Sequence, residues 1–245
     1  MLLSIVIPVY NEERLVCDLL KKVMELQVIS GIEKEIVVVD DGSLDQTHEV
    51  IQRLIHANPS KNITLLQHPK NRGKGAAVRT GLGAAHGEIV IIQDADLEYE
   101  PEDINRVIQP IVDGSAKTVY GSRILGEKAL GRSGIFGILT GKHPNSYILA
   151  YLGGVTVTKW INLLTGSKLT DEPTCYKCFH RTALIKFQIE RDDFSWEPEV
   201  TMKILNNGIR IQEVPISYHP RKRNEGKKIN WKDGAKALWV AWQYR

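Results

Sequence analysis

Glu88-Ile89-Val90-Ile91-Ile92-Gln93-Asp94-Ala95-Asp96-Leu97-Glu98 runs from an unbroken apolar stretch straight into a crowd of carboxylates. A short apolar run without alternation suits a strand buried on both faces, as in a parallel sheet covered by helices. The acids then stand beyond the carboxyl end of the strand, where open α/β sheets gather ligands. In an extended chain alternate side chains share a face, so Asp94, Asp96 and Glu98 are expected to project together. Crowding them is costly unless a cation sits between them. A hard divalent ion, Mg2+ or Mn2+, shared with a diphosphate would remove that cost. The plainer alternative is a solvated loop ahead of a helix that opens at Pro101; the apolar strand favours the metal.

Working toward the N-terminus, Lys74 to Ala85 reads as a helix, Ile63 to Gln67 and Glu35 to Val39 as strands, and Leu3 to Val9 as a first strand. Between the first two strands, Leu15, Leu19, Leu20 and Val23 fall at helical spacing within Glu12 to Gln27. This β-α-β order predicts an α/β fold with a doubly wound, mostly parallel sheet flanked by helices. The residues after each strand are polar: Tyr10, Asn11, Glu12 and Glu13, then Asp40, Asp41, Gly42 and Ser43. Three acidic clusters are therefore expected on one edge. A carboxylate after the second strand can accept hydrogen bonds from a base or ribose, with Ser43 capping the next helix. Asn71-Arg72-Gly73-Lys74-Gly75-Ala76-Ala77 opens a helix with two glycines and two cations, which suits a diphosphate held by backbone N–H groups and Lys74. It is not a Walker loop and lacks the third glycine of a dinucleotide fingerprint. A tight loop with solvated cations is the competing reading.

Toward the C-terminus, Gly121 to Gly166 is broken by glycines and reads as a mobile or surface-lying segment. A helix is expected at Glu199 to Leu205 and a strand at Ile209 to Pro215. Trp196-Glu197-Pro198-Glu199 fits either a site or an aromatic packed on a helix start. Asn230 to Arg245 places Trp231, Leu238, Trp239 and Trp242 among Lys232, Lys236 and Arg245, the pattern of an amphipathic helix. Cys175-Tyr176-Lys177-Cys178 invites a zinc or redox reading, but one distant further cysteine and His180 do not complete four ligands, so buried thiols are favoured.

The 245 residues, 42% hydrophobic and 25% charged, suffice for a single catalytic domain with its own core. A net charge of +3 is too small to imply nucleic-acid binding by the whole surface. Positive charge is instead concentrated between Arg221 and Lys232, so residues 221–245 form a basic amphipathic segment after a catalytic region at 1–220. That region divides into a nucleotide-binding half, 1–98, and an acceptor half, 99–220. Three cysteines and an N-terminus that reads as a strand favour a cytoplasmic protein. No apolar run reaches the ~20 residues of a bilayer-spanning helix, while contact with an anionic membrane surface stays open.

Ser4-Ile5-Val6-Ile7-Pro8-Val9-Tyr10-Asn11-Glu12-Glu13, Val37-Val38-Val39-Asp40-Asp41-Gly42-Ser43, Asn71-Arg72-Gly73-Lys74-Gly75 and Asp94-Ala95-Asp96 together resemble glycosyltransferase family 2, with its GT-A fold. Gly121-Ser122-Arg123, Thr170-Asp171 and Glu213-Val214-Pro215-Ile216 extend the likeness, which is greatest to the branch that glycosylates polyprenyl (dolichyl-type) phosphates. The resemblance implies that Pro8, Tyr10, Glu12 and Asp40, with Asp41, hold the nucleoside of a UDP- or GDP-sugar. Asp94, Asp96 and Glu98 would surround the metal and diphosphate, and Arg123, Arg221 and Arg223 would meet an acceptor phosphate. Asp171 would be a base or the orienter of a catalytic arginine; a helix cap is its plainer role. The implied activity is an inverting, in-line transfer to a polyprenyl phosphate. The alternatives are the same fold acting on a soluble saccharide or protein hydroxyl, and a non-catalytic nucleotide-sugar-binding module.

Overall fold

The computed structural model describes residues 1–29, 31–131, 146–221 and 231–245. β1 (Leu2–Val9), β2 (Glu33–Asp40), β3 (Ile63–Gln67), β4 (Ile89–Ile92), β5 (Thr118–Ser122), β6 (Lys177–His180) and β7 (Ile211–Pro215) lie in one sheet of order β3-β2-β1-β4-β6-β5-β7. Neighbours run parallel except β6, which is antiparallel to both β4 and β5. Leu3, Ile5, Val6 and Ile7 of β1 and every residue of β4 are fully buried. Central strands covered on both faces need no polar alternation, which is why these runs read as apolar throughout.

The helices are α1 (Val16–Glu25), α2 (Thr47–Ala57), α3 (Lys74–Ala84), α4 (Asp103–Val112), α5 (Arg123–Ala129), α6 (Ser146–Thr165), α7 (Arg181–Leu184), α8 (Trp196–Asn206) and α9 (Trp231–Gln243). α1 buries Leu19, Leu20 and Val23, as their spacing predicts, but starts four residues later than Glu12. The Glu12 carbonyl accepts from the amides of Leu15 and Val16 (3.1 and 3.0 Å), so residues 12–15 form a turn that presents Glu12 at the sheet edge.

Of the glycine-broken stretch 121–166, residues 132–145 lie outside the described residues, and the rest is more regular than its composition suggests. Gly121 lies in β5, and α6 is a continuous helix of 20 residues. Within it the hydroxyls of Thr156, Thr158 and Thr165 donate to the carbonyls of Leu152, Gly154 and Ile161, so groups that read as loop-forming are satisfied inside the helix. Cys175 and Cys178 are buried, free thiols whose pKa burial raises, which leaves them inert. Among the described residues no helix is long and apolar enough to cross a membrane.

Candidate active site

The chain does not stay extended after β4. Asp96 Oδ1 accepts the Glu98 amide (3.1 Å), and Leu97 takes a left-handed φ of 59°. That conformation costs a non-glycine residue about 1–3 kcal/mol and recurs at functional turns. A turn, not strand alternation, therefore gathers the acids, and it divides them. Asp94 faces Lys74 Nζ (2.9 Å), which also reaches Glu197 at the start of α8 (3.2 Å). Burial alone would lower the Lys74 ammonium, but Asp94 and Glu197 more than offset it and hold its pKa well above the ordinary value.

Asp96 and Glu98 turn instead toward Arg221. Its Nη2 lies 3.1 Å from Asp96 Oδ2, its Nη1 3.1 Å from Glu12 Oε2, and its Nε 3.7 Å from Glu98 Oε1. Clusters from the ends of β1 and β4 thus meet on one guanidinium. Burial, then the charges of Asp94 and Glu98, push the Asp96 carboxyl up to about 7 even with Arg221 opposing them. The donor set is hard oxygen and demands positive charge, so its chemistry fits Mg2+ or Mn2+. As the side chains stand, no three His, Cys, Asp or Glu among the described residues are arranged to hold an ion, because Lys74 and Arg221 occupy the carboxylates.

A second cluster lies beside the first. Ser122 ends β5 and its Oγ accepts the Leu125 amide, capping α5 and fixing Arg123 at the first helical position. Asp171 grips Arg123 three times: Oδ2 accepts from the backbone N and Nε (both 2.8 Å), and Oδ1 from Nη2 (2.7 Å). Nη2 also donates to the Pro173 carbonyl, while Nη1 makes no hydrogen bond among the described residues. Burial works against the Arg123 charge, and Asp171 holds its pKa well above the usual value regardless. No helix starts after Thr170, so Asp171 caps none; it orients the arginine. Glu213 on β7 in turn accepts from the amides of Thr170 and Asp171 (2.7 and 2.9 Å). Tyr218 joins the clusters, its ring under Arg123 (5.0 Å) and its hydroxyl donating to Glu98 (2.5 Å).

The β2 edge is organised differently from its sequence reading. Asp41 Oδ1 accepts the Arg72 amide (3.0 Å) and lies 2.6 Å from His68 Nδ1, and Oδ2 accepts the Gly73 amide (2.7 Å). The Ala76 amide donates to the Asp192 carbonyl (3.0 Å). The Arg72, Gly73 and Ala76 amides are thus taken by the protein's own oxygens, and the loop brings the Lys74 ammonium to Asp94. Gly73 permits this, with a φ of 103° and Asp192 O 2.4 Å from where a Cβ would sit. Ser43 does not cap α2: its amide donates to Asp40 Oδ1 and its Oγ accepts the Asn11 amide. Asp40 is fully buried, and its Oδ2 also meets Gln67 Nε2 and His48 Nδ1 (both 3.2 Å). These contacts make it shape the turn after β2.

Pro8 is buried in β1 opposite Val39, beyond the last β1–β4 rung, and Tyr10 is half-buried in the following turn. Arg223 lies outside the described residues, with Lys222, Lys227 and Lys228. Sequence reasoning named no individual site role for Tyr218, Glu197 or Glu213, although Glu197 lies in a stretch that fits either a site or a helix start. Glu213 fell within a stretch marked by resemblance, but none of the three carries a periodic signal, because each acts across more than 40 residues of chain.

The sequence profile of the family described as Glycosyl transferase family 2 matches residues 4–140, more than half of the chain. Among known proteins the chain is 27% identical over 230 residues to the UDP-N-acetylglucosamine–dolichyl-phosphate N-acetylglucosaminyltransferase of Methanococcus voltae, covering 88% of this chain and 84% of that one. It is 36% identical over 232 residues to the undecaprenyl-phosphate 4-deoxy-4-formamido-L-arabinose transferase of Edwardsiella ictaluri, covering 91% of this chain and 62% of that longer protein. Its fold matches glucosyl-3-phosphoglycerate synthase from Mycobacterium tuberculosis, solved with Mn2+, UDP and phosphoglyceric acid, at a TM-score of 0.70 and 16% identity, over 99% of this chain and 78% of that one. With a GT-A sheet carrying the acidic turn at its edge, and relatives matched along almost all of its length, this chain belongs to glycosyl transferase family 2.

Proposed function

We propose that the protein is an inverting glycosyltransferase that moves a sugar from a nucleoside-diphosphate sugar to the phosphate of a polyprenyl phosphate. The observation that carries this reading is the Asp171–Arg123 fork. A carboxylate with both oxygens committed to a guanidinium is poorly placed to take a proton from a hydroxyl, whereas an arginine pinned by three hydrogen bonds is pre-organised for an anion. The names of the dolichyl- and undecaprenyl-phosphate relatives point the same way. A UDP-sugar is the favoured donor, following the archaeal relative.

A phosphate monoester with a second pKa of about 6 is already largely ionised at neutral pH, so this acceptor needs no general base. The protein's tasks are to hold two anions in line and to exclude competing nucleophiles. Arg123 would orient the acceptor phosphate, with Tyr218 and Asp171 fixing its direction. Lys74 would face the diphosphate, and Pro8, Tyr10 and Glu12 the nucleoside, with Asp40 and Asp41 holding the turns that form that pocket. Asp94, Asp96 and Glu98 would hold Mg2+ or Mn2+, the ion supplying positive charge to the departing diphosphate. Mn2+ in the mycobacterial complex and the cation-demanding turn support this assignment.

We further propose that α9 meets an anionic membrane surface, where such an acceptor resides. Trp239 and Trp242 are 51% and 47% exposed, and the Arg245 guanidinium lies 4.0 Å from the Trp242 ring. Exposed indoles beside cations suit an interface of mixed polarity.

The reading is tested by incubating the protein with radiolabelled UDP-sugars or GDP-sugars, Mn2+ and a polyprenyl phosphate in detergent. Label extracted into organic solvent is expected. Label that stays aqueous, on a soluble saccharide or as hydrolysed sugar, contradicts the acceptor, and no turnover of any donor contradicts catalysis.

A further inference from the structure

Arg221 stands where the proposed function needs something else. Its guanidinium lies within 3.3 Å of both Glu12 oxygens and 3.1 Å from Asp96, and only 14% of its side chain is exposed. Glu12 is the first acid of the β1 turn and Asp96 the central acid of the β4 turn, so one cation bridges the two strand ends. The same Asp96 and Glu98 oxygens are the hard ligands a divalent ion would use. A guanidinium and a divalent ion cannot share them, because two cations at ~4 Å in a partly buried site repel by several kcal/mol.

The backbone around Arg221 is fixed by hydrogen bonds of its own, apart from those its side chain makes to Glu12 and Asp96. The Arg221 amide donates to Glu98 Oε1 (2.9 Å), the His219 amide donates to the Glu98 carbonyl (2.8 Å), and Tyr218 bridges to Tyr99. An ion that took the Asp96 oxygens would release the guanidinium, while the His219 amide on the Glu98 carbonyl and the Tyr99–Tyr218 bridge keep the strap in place. One aromatic ring separates this position from the acceptor cluster, since the Tyr218 hydroxyl binds Glu98 and Arg123 stacks on its face.

We propose that Arg221 is an exchangeable internal cation: it neutralises Glu12, Asp96 and Glu98 until a divalent ion arrives with the donor, then yields that place and turns to the acceptor phosphate. The proposal rests on the function inferred above and adds an order to it, metal and donor first, acceptor second. It also gives one arginine two partners in succession, so that the phosphate site is completed only when the donor site is filled.

The test is equilibrium binding of Mn2+ alone, read from the electron paramagnetic resonance of free Mn2+, to the whole protein and to Arg221→Gln and Arg221→Lys. Arg221→Gln should bind Mn2+ on the order of tenfold more tightly than the unaltered protein, a coupling of ordinary size, and Arg221→Lys should stay near it. Mn2+ should also raise the melting temperature of Arg221→Gln by more than it raises that of the unaltered protein, a readout that also reports whether the variant is folded. In the unaltered protein, farnesyl phosphate should bind more tightly with Mn2+ and UDP present than without them, and Arg221→Gln should lose that gain. Equal or weaker Mn2+ binding by folded Arg221→Gln overturns the proposal, as does farnesyl phosphate affinity indifferent to Mn2+ and UDP, or absence of Mn2+ binding in all three proteins. Failure of the functional reading itself is seen elsewhere, in where the label goes in the lipid assay.

Discussion

Arg123 and Asp171 carry the sharpest consequence at the scale of single residues. Arg123→Gln should lower kcat/KM for the lipid acceptor about a hundredfold while leaving the donor KM nearly unchanged, because the lost fork faces only the acceptor. A parallel rise in donor KM, measured by initial rates, would place Arg123 in the wrong half of the site. The placement of these residues was partly readable: Asp94, Asp96 and Glu98 follow β4 and Arg123 follows β5, with Lys74 at the start of α3 and Asp171 in the loop ahead of β6 brought beside them. Their partners were not. The left-handed turn at Leu97, which splits Asp94 from Asp96 and Glu98, has no signature in composition or spacing. Nor could spacing reveal that Asp41 fills the amides of Arg72 and Gly73, since that depends on how two βα turns pack.

Elements divide between those that build the sheet and those that dress its edge. At the end of the sheet away from the site, Glu35 on β2 accepts from Ser4 Oγ of β1 (2.5 Å) and from the amides of His86 and Gly87 ahead of β4 (2.6 and 3.2 Å). Burial raises its pKa, but these donors outweigh burial and the net shift is downward. A carboxylate lowered in the folded state stabilises it above the unfolded pKa of about 4.3 and loses that contribution as pH falls through the folded value. Glu35→Gln should therefore cost about 1–3 kcal/mol at pH 7, from urea denaturation, with the gap narrowing as pH falls below about 4. A gap that widens in acid would reverse the assigned shift. β1, β2, β4 and α1 were legible because pattern and burial agree in them. β6 was not: its Lys177 is fully buried, bonded to the carbonyls of Glu172 and Thr174, so a charged residue sits inside a strand. α6 was hidden by its glycines, threonines and lack of a polar face.

The whole molecule places its chemistry on one side of the sheet and a cation-bearing aromatic helix beside it. α9 packs on α6 and α8, with Trp160 Nε1 donating to the Leu238 carbonyl (3.1 Å), while Trp239 and Trp242 face outward. The protein should sediment with anionic vesicles at low salt, weakly with neutral ones, and Trp239→Ala with Trp242→Ala should reduce binding at every salt concentration. Equal sedimentation with both vesicle types would remove the charge-assisted contact. The fold class and the family were legible from the N-terminal half alone, whereas the coupling between donor and acceptor sites emerges only when residues 218–221 fold back on the acidic turn. That coupling depends on the acids gripping a metal-bound diphosphate. The most direct measurement is anomalous scattering at the manganese edge from crystals soaked with Mn2+ and UDP. A peak enclosed by Asp94, Asp96 and Glu98, with Arg221 displaced, is the expected result; UDP bound with no peak there, and Arg221 still joining Glu12 to Asp96, would contradict the account.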